Sequence, residues 1–395
     1  MQVNEHFAQI GQNYLFSTIA RKVAAYKASE PPRRVIRLGI GDVTEPLAPV
    51  IIEAMHKAVD EMADKRTFRG YCDDAEGYEF TRKAVADHYA ELGVTVGLDE
   101  VFISDGAKSD LGNFLDVTGP DTVALIPDPV YPAYIDTNIM SGHTITYVHG
   151  SPETGYLARP DDDIDADLVY ICSPNNPTGA VYDAETLSAW VMYALDHQAL
   201  IIFDSAYEAF IRTDGLPHTI YEIDGAERCA VEISSFSKMA GFTGVRCGFT
   251  IVPKTLTVAG DADLNQMWRR RQNTKFNGVP YIVQRAAEAA LSPLGRQQTR
   301  AQVDYYLGNA AVIARGLDRL GISYTGASNS PYVWMACPNG MSSWDFFDQL
   351  LERAQVVGTP GVGFGPAGEG RFRLTGFGQR ADCEEAMSRI AALLE

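Results

Sequence analysis

Between about residue 80 and residue 255, short apolar runs alternate with longer amphipathic stretches. The runs at 101–103, 122–126, 144–148, 168–172, 200–203, 231–233 and 248–252 are bounded by small polar residues, glycine or proline, and read as buried strands. Helices are predicted over 106–117, 184–196 and 281–291. Alternation at this spacing predicts an α/β fold, with a mainly parallel sheet covered by helices on both faces. Before it come a helix over 17–27 ended by Pro31-Pro32, a short strand over 35–40, and an amphipathic helix over 49–62. The last aligns Ile51, Met55, Val59 and Met62. After about residue 290 the pattern changes to a long helix over 297–320, short strands and a terminal helix over 382–394. The chain therefore divides into a large domain, 48–288, and a smaller α+β domain made of 1–47 and 289–395.

Ligands of such sheets bind beyond the carboxyl ends of the strands, so the residues there carry the functional argument. After 231–233 comes Ser234-Ser235-Phe236-Ser237-Lys238, closed by Arg246. A lysine at the rim of a core loses solvation, which lowers its pKa and suits it to act as a base or Schiff-base nucleophile. The hydroxyls and the Arg246 fork suit a phosphate. Together they suggest pyridoxal phosphate (PLP). A lysine after a strand is more commonly a solvated surface residue. Ser235 to Lys238 also spells S-x-x-K, the serine acyl-transfer signature, but the companion S-D-N and K-T-G motifs are absent from the chain.

Four other strand ends bear on the choice. Ser104-Asp105-Gly106-Ala107-Lys108 reads as a strand-to-helix turn whose free N–H groups favour an anion, though an ordinary loop reads the same way. Pro127-Asp128-Pro129-Val130-Tyr131 presents an aromatic that can stack on a flat ring or sit in the core. Ser173-Pro174-Asn175-Asn176-Pro177-Thr178-Gly179 fixes two amides in a rigid turn. Asp204 ends an apolar run, so its carboxylate needs a cation or several donors, and a pyridinium nitrogen is such a cation. An anion site, an aromatic, an amide, an acid and a lysine are the set PLP requires.

Composition narrows the alternatives. At 46% hydrophobic and 21% charged the chain is ordinarily globular. No apolar run reaches the ~18 residues of a membrane span, and the start, Met1 to His6, lacks a signal-peptide pattern. The six cysteines are scattered without a C-x-x-C pair, which indicates neither zinc nor a disulfide framework and fits the cytoplasm. A net charge of -18 argues against nucleic acid as a partner, leaving small molecules.

Ser173 to Gly179, Asp204-Ser205-Ala206-Tyr207 and Ser235 to Lys238 with Arg246 resemble the fold type I PLP-dependent aminotransferases. The resemblance runs along nearly the whole chain, through Asn13-Tyr14-Leu15-Phe16, Leu38-Gly39-Ile40-Gly41-Asp42, Phe68-Arg69-Gly70-Tyr71, Thr274-Lys275-Phe276-Asn277-Gly278 and Pro331-Tyr332-Val333-Trp334. It implies that Lys238 bonds the cofactor's aldehyde and moves the proton, while Asp204 holds the ring nitrogen. Asn176 and Tyr207 are expected at the ring hydroxyl and Tyr131 on the ring face. Ala107, Lys108, Ser235, Ser237 and Arg246 are expected at the phosphate, with Tyr71 reaching it from a second subunit of a homodimer. Arg373 is expected to clamp the α-carboxylate of an amino-acid or 2-oxo-acid substrate. Tyr14, Gly41, Lys108 and Asn277, the last also from the partner, are expected to line that substrate, beside Tyr71, Tyr131 and Asn176.

The chain departs from the family after Tyr71. Members usually continue Gly-Pro-Glu-Gln-Gly, with a glutamate that helps recognise the substrate's distal end. Here Cys72-Asp73-Asp74-Ala75-Glu76-Gly77 is one residue longer, which leaves Asp74 and Glu76 as alternatives. Gly363-Phe364-Gly365-Pro366-Ala367-Gly368 spells G-x-G-x-x-G, but a strand-like 371–374 follows where a dinucleotide site needs a helix.

Overall fold

The structure, a computed structural model, describes residues 1–10, 15–29, 34–39, 41–72 and 76–394. Helix α1 (Leu15–Ser29) buries Leu15, Ile19 and Val23, four residues apart and so on one face. After β1 (Ile36–Arg37), α2 (Pro49–Ala63) opens with a proline in its first turn, where no N–H is missed. Helix α3 (Glu79–Glu91) buries Thr81, Val85 and Tyr89.

The alternating region follows as β2 (Val101–Ser104), α4 (Ala107–Asn113), β3 (Val123–Asp128), α5 (Ala133–Ser141), β4 (Thr144–His149), β5 (Leu168–Cys172), α6 (Ala184–Asp196), β6 (Leu200–Asp204), β7 (Ala230–Ser235), α7 (Phe236–Met239) and β8 (Gly248–Ile251). Among the described residues these strands form one sheet in the order β2-β8-β7-β6-β5-β3-β4. Its pairings are parallel from β4 to β7, and β8 runs antiparallel to both its neighbours. The β7–β8 connection carries only a one-turn helix, too short for the crossover a parallel return requires. Side chains alternate along each strand. Val169, Ile171, Ile201 and Phe203 meet Trp190 and Val191 on one face, while Tyr170 and Ile202 meet Leu111, Tyr134 and Trp268 on the other.

The chain continues with α8 (Leu264–Lys275), α9 (Tyr281–Leu291), α10 (Pro293–Arg319), β9 (Tyr324–Gly326), β10 (Tyr332–Ala336), α11 (Ser343–Gln349), β11 (Val356–Val357), β12 (Thr359–Pro360), β13 (Arg371–Thr375) and α12 (Arg380–Leu394). Strands β12-β13-β10-β9 form an antiparallel sheet, and β1 pairs in parallel with β11. One core joins Leu15, Ile19, Val23, Ile36 and Leu38 to Ile313, Trp334, Phe346, Phe372 and Ile390.

Two expectations change, and three helices stand where none is expected. The stretch 106–117 is helical only to Asn113 and tightens into a 3-10 turn, Phe114–Val117. On α2 the buried positions are Ile51 and Ala58, while Val59 is 51% exposed; a methyl rather than a larger chain sits where α2 lies along α9. Helices α3, α5 and α8 carry too broken an apolar stripe to stand out in the pattern.

Candidate active site

Strands β5, β6 and β7 end in register, with Cys172 opposite Asp204 and Asp204 opposite Ile233. The segments that follow them therefore emerge at one edge, facing the antiparallel sheet across a cavity of about 440 Å³. Gly41, Ala107, Lys108, Tyr131, Asn176, Asp204, Tyr207, Ser235, Ser237, Lys238, Arg246 and Arg373 all line it.

At one end Ser235 caps α7, its Oγ accepting from Ser237 N–H at 3.0 Å, and Arg246 Nη1 donates to Ser237 Oγ at 3.0 Å. Arg246 sits at φ 68°, a conformation that costs a non-glycine residue energy and concentrates at functional sites. Opposite it, Gly106 has φ +132°, and a Cβ there would come within 2.1 Å of Arg246 Nη2. Glycine is what lets the guanidinium lie against the start of α4. The result is a cluster of two hydroxyls, an arginine and a helix start at one wall.

Across the cavity floor, buried Asp204 accepts from Tyr134 OH at 2.6 Å and from Ala206 N–H at 3.0 Å. Burial pushes its carboxyl above the ordinary value although both donors oppose the shift. Tyr131 lies with the Lys108 ammonium 5.8 Å from its ring centre and packs edge-on to Tyr134. Tyr207 OH meets Tyr332 OH at 2.6 Å.

Lys238 Nζ donates to Gly41 O and lies 5.6 Å from the Phe377 ring. Its pKa is lowered to about 8, first by burial; Asp42 opposes this, and Arg246 and Arg373 add to it. Arg373 is 1% exposed, with its guanidinium 4.3 Å from the Tyr332 ring centre and 4.6 Å from that of Phe364. It donates from Nη1 to Asn176 Oδ1 at 2.5 Å and from Nη2 to Gly39 O at 2.8 Å, and its buried Nε has no hydrogen-bond partner among the described residues. A neutralisable amine and an arginine with a spare donor thus share one opening, the equipment for proton transfer at a carboxylate-bearing carbon.

Two expected residues lie outside the cavity, Tyr71 at 81% exposed and Asn277 on the surface. Tyr14 and Asp74 lie outside the described residues. Glu76 is buried and spent on Arg82 at 2.7 Å and on Arg269, so its charge is neutralised inside the fold and does not face the cavity. Residues that the sequence reading missed also line the wall, among them Phe16, Asp42, Tyr134, Cys172, Thr243 and Tyr332. Asp42 and Tyr332 stand inside stretches already notable for their resemblance. Tyr134 carried one faint signal, a second tyrosine three residues after Tyr131.

A family model described as aminotransferase class I and II matches residues 33–390, and the chain belongs to that family. It is 50% identical to the LL-diaminopimelate aminotransferase of Agathobacter rectalis over 99% of this chain and all of that one. It is 52% identical to the LL-diaminopimelate aminotransferase of Bacteroides fragilis, over 98% of each chain. Among solved structures, L,L-diaminopimelate aminotransferase from Chlamydomonas reinhardtii matches with a TM-score of 0.93 at 38% identity, covering 100% of this chain and 99% of that one.

Proposed function

We propose that this chain transfers an amino group from LL-2,6-diaminopimelate to 2-oxoglutarate, giving tetrahydrodipicolinate and glutamate, with PLP as its cofactor and lysine biosynthesis as its setting. The observation that carries the reading is the single cavity shared by Lys238, Asp204 and Arg373. Half-identity to named diaminopimelate enzymes along the whole chain supports the choice of substrate.

The donor set fits PLP. Arg246, Ser235, Ser237 and the start of α4 are suited to its phosphate, and a protonated ring nitrogen would give buried Asp204 a countercharge. When bound, PLP supplies an electron sink for the pair left on the substrate's α-carbon. Tyr131 would cover the ring face, and Asn176 and Tyr207 would meet its hydroxyl oxygen. Arg373 would grip the α-carboxylate through its unpartnered Nε and the donors it now shares with Asn176 and Gly39. That grip sets the α-hydrogen near Lys238. With its pKa near 8, Lys238 Nζ would be uncharged often enough to take that proton and return it at the carbon that carried the cofactor's aldehyde.

We infer also that a second copy of the chain completes the site, bringing Tyr71 and Asn277 to the partner's cavity. Both are exposed and outside their own cavity, and Phe68, 56% exposed, adds apolar surface beside Tyr71.

A panel of amino donors with 2-oxoglutarate, run on purified yellow protein, tests the reading. LL-diaminopimelate should give the highest kcat/KM, and a preference for aromatic or dicarboxylic amino acids would overturn the substrate.

A further inference from the structure

Tyr134 lies in the first turn of α5, just after Tyr131, and its ring is wholly buried. It stacks on Tyr170, with ring centres 4.8 Å and planes 19° apart. Asn138 Nδ2 donates to Tyr134 O at 2.8 Å and to Tyr170 OH at 2.9 Å, while its Oδ1 meets His143 Nδ1 at 2.7 Å. The phenol packed and pinned in this way carries its hydroxyl to the end of β5 and β6, beside the Cys172 thiol. There it donates to Asp204 Oδ2, 2.6 Å away.

Burial alone drives a carboxyl toward its neutral form, because water no longer stabilises the charge. Tyr134 and the Ala206 N–H are the groups that work against this at Asp204. Among the described residues, Cys172 of β5 and Tyr332 of β10 also interact with the Asp204 carboxylate itself, while the other ionisable side chains of the same cavity are Asp42, Lys108, Tyr131, Tyr207, Lys238, Arg246 and Arg373. Burial holds both Cys172 and Tyr332, and Tyr134 itself, well on the protonated side. Tyr134 therefore remains a donor across the working pH range, and neither neighbour supplies a negative charge to compete.

We propose that Tyr134 is a positioning residue whose hydroxyl fixes Asp204 as an anion aimed at the cofactor's ring nitrogen, and so keeps that nitrogen protonated. The assignment rests on the role given to Asp204 in the proposed function. It places part of the control of the electron sink in a hydroxyl bonded to Asp204, on the helix that follows the ring-stacking tyrosine.

The test compares wild type, Tyr134→Phe and Tyr170→Phe as purified holoenzymes. Tyr134→Phe keeps the stacked ring and deletes only the hydroxyl. It is expected to bind PLP roughly 10- to 100-fold more weakly, the usual consequence of losing a hydrogen bond to a charged group. It is expected to lower kcat by a similar factor while KM for the amino donor stays within about twofold, because ground-state contacts are untouched. The pH midpoint of the bound cofactor's visible band should rise, since a deprotonated ring nitrogen removes a positive charge near Lys238 Nζ. Tyr170→Phe removes an equally buried hydroxyl that does not touch Asp204, and should leave that midpoint in place. A common thermal midpoint for the three cofactor-free proteins separates lost tuning from lost folding. The assignment is overturned if Tyr134→Phe keeps the wild-type spectral midpoint and PLP affinity, or if Tyr170→Phe moves the midpoint equally. A wild-type protein that takes up no PLP overturns the proposed function, and this assignment with it.

Discussion

In the proposed reaction Lys238 and Arg373 make opposite demands on one small volume: the first has to give up its charge and the second has to keep it. Burial depresses the lysine to about 8, while the arginine is held between two aromatic faces with carbonyl acceptors on its fork. Lys238→Ala is expected to lower turnover by at least about 10²-fold and to abolish the visible absorbance of bound cofactor; a variant with wild-type rates contradicts the role. Asp204→Ala is expected to retain some cofactor yet lose most of the rate, and rates equal to wild type would remove the electron-sink argument. Arg373→Lys keeps the charge but loses the planar fork and the stacking on Tyr332. Steady-state kinetics should show KM for the amino donor rising roughly 10- to 100-fold, with kcat changed less.

At the scale of elements, the site is a set of strand ends, and that is why so much of it could be read from the sequence. An apolar run that stops at Asp204, or at Ser235 before Lys238, marks a sheet edge without any knowledge of the third dimension. Contacts made across long stretches of chain leave no such mark. Tyr134 and Asp204 are 70 residues apart, and Tyr207 and Tyr332 are 125 apart. Helix α8 was hidden because its buried stripe, Leu264, Trp268 and Gln272, contains a glutamine and is flanked by three arginines. On α2 the periodicity pointed to Val59, but the packing against α9 selected Ala58. The loop before β13 shows a further element-level dependence. Gly365 has φ +123°, and a Cβ there would fall 2.0 Å from Asp128 Oδ1. Asp128 Oδ2 in turn accepts from Ala367 N–H at 3.0 Å, and Val130 N–H donates to Phe364 O at 2.8 Å. These bonds tie the strand end that leads to Tyr131 to the loop that holds Phe364 against Arg373. Gly365→Ala should cost on the order of 1–3 kcal/mol in a urea titration. It should also raise KM more than it lowers kcat, because the arginine loses its aromatic support.

For the whole molecule, an ion cluster joins parts of the large sheet's surroundings that are far apart in sequence. Glu208, just after Tyr207, meets His218 Nδ1 at 2.5 Å and His88 Nε2 of α3 at 3.7 Å. Burial would raise the glutamate, but the two histidines outweigh it and bring it down to about 2. Glu208 raises His218 directly, and raises His88 although burial opposes it. The histidine contributions are therefore complete below the ordinary 6.5 and fade as pH climbs through their higher folded values. The glutamate contribution is complete above the ordinary 4.5 and fades as pH falls toward about 2. Thermal midpoints measured from pH 4 to 9 should peak between those limits, and His218→Gln should flatten the alkaline side.

The core shared by Leu15, Ile19 and Val23 with Phe372 and Ile390 has a consequence for how the protein is made. Helix α1 leaves the ribosome with its apolar side bare, well before β13 and α12 are made. Until they arrive that side stays open to water, so chains stalled before α12 are expected to sediment as aggregates more readily than chains carried past it.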